Sequence, residues 1–332
     1  MAIIDAIAWE LVIAAFAGGA FGAAVGALQS FSLAGLVIII GEMYALVHRE
    51  LGQVPPVDIT SSIGFGVVLG PHIAFGGGAA AVAYAAKRGY LDTDFVYHEA
   101  KNVTRAFGGK PDVLIVGGLF GSIGYLIATT SITVGLPTDA VALGVVLSAL
   151  VHRIVFGYHV IGRPAGGWLD MSPFERTRGE PVHNRPSVQP WLPYQYRWRD
   201  VTVLGVVVGI LGGYIAYVTA SPFLAFGICV VALAFLCAGV GSIPVTHHMS
   251  LPASTVVVAM ADPTITLGGA LLLGGLFGVI GALIGELSQR ILYAHAETHL
   301  DPPAASIVIT SFLIALLAMM GILPSSAWIP MP

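Results

Sequence analysis

The sequence predicts an all-α polytopic integral membrane protein. It has about ten hydrophobic segments in two internal repeats, each with a broken or re-entrant third segment. Three observations predict this. First, 56% of the 332 residues are hydrophobic and only 10% are charged, against about 25% charged in an ordinary soluble domain. Second, the apolar residues fall into long runs, and a bilayer core needs about 20 such residues per helix. Third, the same motifs recur in the same order in both halves of the chain. A water-soluble fold of this size cannot cover itself with 18 acids and 14 bases. Soluble globular, disordered and nucleic-acid-binding classes are therefore excluded. The net charge of -4 is too small to imply any partner; the expected partners are the lipid bilayer and a small ion or solute, with no nucleic acid.

The apolar runs lie near 8–28, 31–47, 62–86, 113–133, 138–160, 202–219, 222–240, 242–262, 264–289 and 303–323. The start, MAIIDAIAWE, holds Asp5 and Glu10 and lacks a basic region, so it reads as the lead into the first span rather than a signal peptide. Trp9, Trp168, Trp191, Trp198 and Trp328 fall at span ends or in the long loop, as interfacial aromatics do. Lys87, Arg88, Lys101, Arg105 and Lys110 populate the 87–112 connection, and Arg163, Arg176, Arg178, Arg185, Arg197 and Arg199 the 161–201 connection. The positive-inside rule places both connections in the cytoplasm; the expected location of the chain itself is the cytoplasmic membrane of a prokaryote. Within 91–107, Leu91, Phe95, Val103 and Phe107 recur at helical spacing, with Asp94, His98, Lys101 and Arg105 on other faces. The spacing predicts an amphipathic helix on the cytoplasmic surface.

The domain organisation is repeat 1 over 1–160, a cytoplasmic linker over 161–201, repeat 2 over 202–323 and a tail over 324–332. GGLFGSIGYLI at 117–127 matches GGLFGVIGALI at 274–284 in nine of eleven positions. The ladder Gly18, Gly22, Gly26 matches Gly205, Gly209, Gly213, and FSLAG at 31–35 resembles FLAFG at 223–227. Pro137 and Pro303 open the fifth span of each half. The glycine ladders predict close helix packing within the chain, with a homo-oligomer interface as the second reading.

The third span of each half is interrupted. Gly70-Pro71-His72 stands within 62–86, and Pro244 and Pro252 bracket Thr246, His247, His248 and Met249 in 242–262. Proline removes a helical donor and clashes with the preceding turn. Broken backbone at membrane depth is tolerated only inside protein or beside a water-filled cavity. Paired interruptions at matching positions point to a transporter's binding site. If each interrupted segment spans, the halves are inverted and Arg49 alone among the bases lies outside. If each is a re-entrant hairpin, the halves are parallel and Arg290 alone does. The half-bilayer of apolar residues on either side of each break favours the inverted arrangement.

The expected substrate or ion site is therefore Gly70, Pro71, His72, Thr246, His247, His248 and Met249, with Glu42 as a proton or cation partner. Imidazoles there can bind an anion when protonated, relay protons or hold a metal. Histidines at the site would couple transport to pH: anion uptake would carry protons in, and cation uptake would expel them. His295 and His299 stand at i,i+4 around Glu297, with Asp301 following. With His247 and His248 they are weak metal-ligand candidates, a chance polar loop being the simpler reading. Glu286 pairs with Arg290 at i,i+4. Asp139 reads as an early-helix acid, Asp262-Pro263 as a turn, and His152, Arg153 and His159 as interface residues. No nucleotide-binding, nucleophile or haem-attachment motif is present, and no cofactor is expected beyond a bound metal or ion. The preferred function is a secondary transporter or channel for a small ion or solute. The alternatives are a membrane-embedded metal-binding enzyme and a structural subunit of a larger membrane complex.

The GPHIAFGGG and THHMSLPAS segments, with the GGLFG repeats, resemble an uncharacterised multi-pass membrane family of bacteria and archaea. The resemblance covers most of the chain. It implies a membrane protein and supplies no substrate or mechanism.

Overall fold

A computed structural model describes residues 8–331 except 53, 92–97, 182–183, 185–186 and 261–264. Asp5, Asp94, Phe95, Arg185, Asp262 and Pro263 lie outside the described residues, so the turn expected at Asp262-Pro263 and residues 92–97 of the expected surface helix do too. The described residues are helical without strands. The first half holds α1 (Trp9–Val25), α2 (Ala27–Leu51), a π turn (Thr60–Gly64), α3 (Ala74–Lys87), α4 (Pro111–Thr133) and α5 (Ala140–Val155). A short α6 (Ser172–Thr177) lies in the long connection. The second half holds α7 (Trp198–Thr219), α8 (Leu224–Val231), α9 (Leu233–Cys237), α10 (His247–Ala259), α11 (Leu267–Ser288) and α12 (Pro302–Met319).

Five helices are long and apolar enough to cross a membrane: α2, α4, α7, α12, and α11 with the π turn that continues it to Tyr293. Their outer faces carry large apolar side chains. Leu272 on α11 is 79% exposed and Val207 on α7 is 59% exposed. Such a belt is an aggregation liability in water and an ordinary contact in lipid.

Contacts between helices fix their relative directions. α1 and α4 run antiparallel: Ala23 lies against Gly117 and Ala15 against Gly121, while Ser122 Oγ donates to the Val12 carbonyl. α7 and α11 do the same, with Gly205 against Gly278 and Gly213 against Ala270 and Gly274. A Cβ on Gly18 or Gly22 would overlap backbone of the stretch 68–74, and one on Gly209 backbone of α11, so these ladder glycines serve packing within the chain; against α4 it is Gly19, outside the expected ladder, that takes the place Gly209 takes against α11. The stretch 60–87 runs antiparallel to α2, with Thr60 at Gly41, Gly64 at Ile38 and Gly78 at Ala27.

The halves meet through two further antiparallel pairs. Gly35 of α2 lies against Val230 of α8, and Arg49 Nη1 donates to the Thr219 carbonyl at the end of α7. Thr138 Oγ1, just before α5, donates to the Val308 carbonyl of α12 at 2.8 Å. At the far end of α5, His152 and Arg153 meet Thr298. Among the described residues, one end of the bundle therefore gathers Trp9 and those of 49–62, 133–140, 219–224 and 319–331. The other gathers the described residues of 88–110, 156–201, 238–246 and 289–301.

Three local expectations are corrected. The described part of 91–107 is a 3-10 turn (Glu99–Lys101) and bends, not an amphipathic helix. Ala100, Lys101 and Val103 are buried against the bundle instead of lying on a surface. Pro252 does not break the second interrupted segment. It sits inside α10, and the irregular backbone lies before His247. His152 and Arg153 are fully buried, not interfacial. Arg153 donates from Nε to Thr298 Oγ1 (2.9 Å), from Nη2 to the Thr298 carbonyl (2.9 Å) and from Nη1 to the Val160 carbonyl (2.6 Å), so α5 is tied to the loop before α12.

Candidate functional site

The two interruptions bring irregular backbone to the centre of the bundle. In the first half, residues 65–73 form turns before α3 begins at Ala74. The Gly70 carbonyl accepts from the Ile73 and Ala74 amides, and the Pro71 carbonyl from the Gly76 amide, at 2.8–2.9 Å. In the second half, α10 opens at His247 after Thr246, whose carbonyl accepts from the Met249 and Ser250 amides. The long connection patches this second break. Gln195 donates from Nε2 to the Val245 carbonyl (2.7 Å) and accepts the Val245 amide on Oε1 (2.8 Å). Tyr194 Oη donates to the Ile243 carbonyl.

A small cavity of about 30 Å³ lies between the breaks. A water occupies roughly 10–15 Å³ on this measure, so the space suits one ion or a pair of waters. Its lining comes from both halves: Pro71 and Phe75 beside the first break, Phe226 and His247 beside the second, and the aspartates that begin α5 and α12. Phe31 and Phe65 complete an aromatic wall. Phe31 packs edge-on against His247 with ring centroids 5.0 Å apart, and Phe75 packs against His299 at 5.6 Å.

A larger recess of about 390 Å³ lies toward the end that holds the C-terminal residues, lined by Ser61, Ile132, Phe223 and Trp328. It shares Phe65, Asp139 and Val141 with the central cavity. These three residues stand between vestibule and cavity.

Asp139 caps α5, its Oδ1 accepting the Val141 and Ala142 amides at 2.8 and 3.0 Å. Asp301 caps α12, its Oδ2 accepting the Ala304 amide at 2.8 Å. Asp301 Oδ1 lies 3.3 Å from His299 Nε2. Sequence reasoning treated Asp139 as a helix acid and Asp301 as a neighbour of a weak metal motif. The signal that finds them is their matching position: each is the N-cap acid of the last helix of its half, beside the paired prolines.

The expected site residues do not form one cluster. Pro71 and His247 line the central cavity. His72 does not. Its carbonyl packs against Gly124 and its ring against Gly144, both within the first half. His248 and Met249 line a separate cavity of about 20 Å³, with Glu286 and Gln289. The His247 and His248 rings are 5.8 Å apart, edge to face, and aim into different spaces. Nδ1 of His72, His247 and His248 is buried without a hydrogen-bond partner among the described residues. Glu42 lies nearer the vestibule end, accepting hydrogen bonds from Thr60 Oγ1 (2.7 Å) and Ser221 Oγ. It bridges α2, the π turn and the start of α8.

His295 and His299 do not share a helix face, because 294–300 is turn and bend. His295 bonds the Trp168 carbonyl and His299 faces Asp301. Among the described residues, no three His, Cys, Asp or Glu side chains come together as a metal-ligand set. Glu286 does pair with Arg290, whose Nη1 and Nη2 reach the Leu169 and Tyr196 carbonyls.

Apolar helices with an exposed apolar belt, packed around a buried polar centre, define the class of a polytopic helical membrane protein. The chain belongs to a family of unknown function (DUF7973), which it matches over residues 1–332. No curated protein and no solved structure matches it.

Proposed function

We propose that this protein is a membrane transport protein, a secondary transporter or channel for a small ion or solute. It works across two inverted five-span repeats. The observation that carries the reading is the vestibule that ends at a small cavity walled by both interrupted segments. Discontinuous helices at a repeat interface are where secondary transporters bind their cargo. The relative helix directions support the inverted arrangement: α1 and α4, and α7 and α11, make the same glycine contact in each half, while α2 opposes α8 and α5 opposes α12. Gly35 and Gly227 match in sequence and meet across the interface, 3.1 Å separating the Gly35 carbonyl oxygen from a Cβ built at Gly227. Equivalent residues meet in this way where a two-fold axis passes between them.

The basic residues orient the whole. Of the 14 Lys and Arg residues, Arg185 lies outside the described residues, and all the others but Arg49 lie at the end away from the vestibule or in connections that belong to it. The positive-inside rule puts that end in the cytoplasm, and the vestibule opens outside. Reconstitution into liposomes tests the proposal. Electrical or radiotracer flux across a panel of small inorganic ions is expected to saturate for at least one of them. Filling the cavity with Ala142→Leu is expected to lower that flux at least tenfold. Wild-type protein that is correctly folded and moves none of the panel would sink the transport reading.

A further inference from the structure

We infer that the central cavity is a binding site for a small monovalent cation of sodium to ammonium size, held between Asp139 and Asp301. The inference rests on the transport reading and names its cargo.

The lining decides the sign of charge. Its two charged residues are both acids, 7% and 8% exposed. No lysine or arginine lines the space. Capping explains only part of these carboxylates. Both amides that Asp139 caps go to Oδ1, so among the described residues Oδ2 accepts no hydrogen bond, and Asp139 lines both vestibule and cavity.

A second observation is independent of the acids. His247 is 2% exposed and lines the cavity, and its Nδ1 has no hydrogen-bond partner among the described residues. A neutral imidazole offers a cation a lone pair.

An anion is poorly served here. Helix N-termini would attract one, but the first amides of α5 and α12 already donate to the aspartates. The remaining wall is mainly apolar, with four phenylalanines that give an anion no donor and whose ring faces attract cations. The volume of about 30 Å³ suits one dehydrated ion and excludes an organic solute.

Equilibrium binding to purified protein in detergent tests this without any flux measurement. The probes are thallium(I), which stands in for potassium and ammonium, and sodium-22. Wild type is expected to bind at least one of them saturably, with ammonium or potassium displacing thallium(I). Asp139→Asn and Asp301→Asn are expected to weaken binding at least tenfold. Asparagine caps a helix about as well as aspartate, so these variants remove charge and keep the caps. Their elution as monodisperse protein checks the fold. No saturable binding of either ion to wild type overturns the inference, as does unchanged affinity in both variants. Cation binding without flux would support the site and count against transport. Anion flux without cation binding would do the reverse.

Discussion

Lys101 shows how far a single residue can depart from its sequence pattern. Its position among polar neighbours in a basic loop predicts a solvated side chain. Instead its Nζ is buried, has no hydrogen-bond partner among the described residues, and lies 4.5 Å from the centre of the Tyr293 ring. Burial holds its amino group well below the ordinary lysine value of 10.5, and Arg153 lowers it further, against a smaller pull from Glu297. The sign follows directly. Between the lowered folded value and the unfolded one, the unfolded chain binds the extra proton, so stability rises with pH across that window. At neutral pH the buried Lys101 is a net cost to the folded state. Lys101→Met is therefore expected to raise the unfolding midpoint in detergent at pH 7 and to flatten its rise toward alkaline pH. A midpoint that falls, with the pH slope intact, would refute this.

At the scale of elements, the interrupted segments are held by close backbone contact as much as by side chains. Position 252 is proline, so the His248 carbonyl lacks its usual amide donor four residues on. That carbonyl packs against Gly281 of α11, as the His72 carbonyl packs against Gly124 of α4. A Cβ at either glycine would overlap the carbonyl oxygen. Overpacking of this kind costs about 1–3 kcal/mol. Gly124→Ala and Gly281→Ala are each expected to lower the thermal midpoint and to disturb the neighbouring break. Gly268→Ala is the contrast in the same helix as Gly281. Only Thr266 Oγ1 comes within 4.0 Å of its added methyl, and alanine favours the helix by up to about 1 kcal/mol. It is expected to be neutral or stabilising. Equal losses at 268 and 281 would show that helix propensity, not the carbonyl contact, governs these sites.

At the scale of the whole molecule, the proposed orientation makes a prediction about access. With Cys229 and Cys237 replaced by alanine, a cysteine at the exposed Ser325 is expected to react with a membrane-impermeant maleimide on intact cells. One at the exposed Arg178 should react only in inverted vesicles. Both labelling from one side would contradict the inverted arrangement and the sidedness together. The long connection belongs to the basic end by its contacts: Gln195 at Val245, Trp191 at Gln289 and Gln189 at Ala294. It is stitched to the bundle as well as joining its halves.

The sequence by itself determined the helical membrane class and the neighbourhood of the two interruptions, though it set the second at Pro252, which lies inside α10. These follow from composition, run length and proline chemistry, which are local properties. The glycine ladders were legible as packing faces for the same reason, because their spacing marks one side of a helix. Which residues meet at the centre was decided only by tertiary structure. His72, His247 and His248 look equivalent along the chain, yet the turn before α3 sends His72 against Gly124 and Gly144, while the start of α10 aims His247 and His248 into separate cavities. Asp139 and Asp301 are more than 150 residues apart and read singly as helix caps. They line one space because α5 and α12 pack antiparallel, and no local pattern encodes that contact.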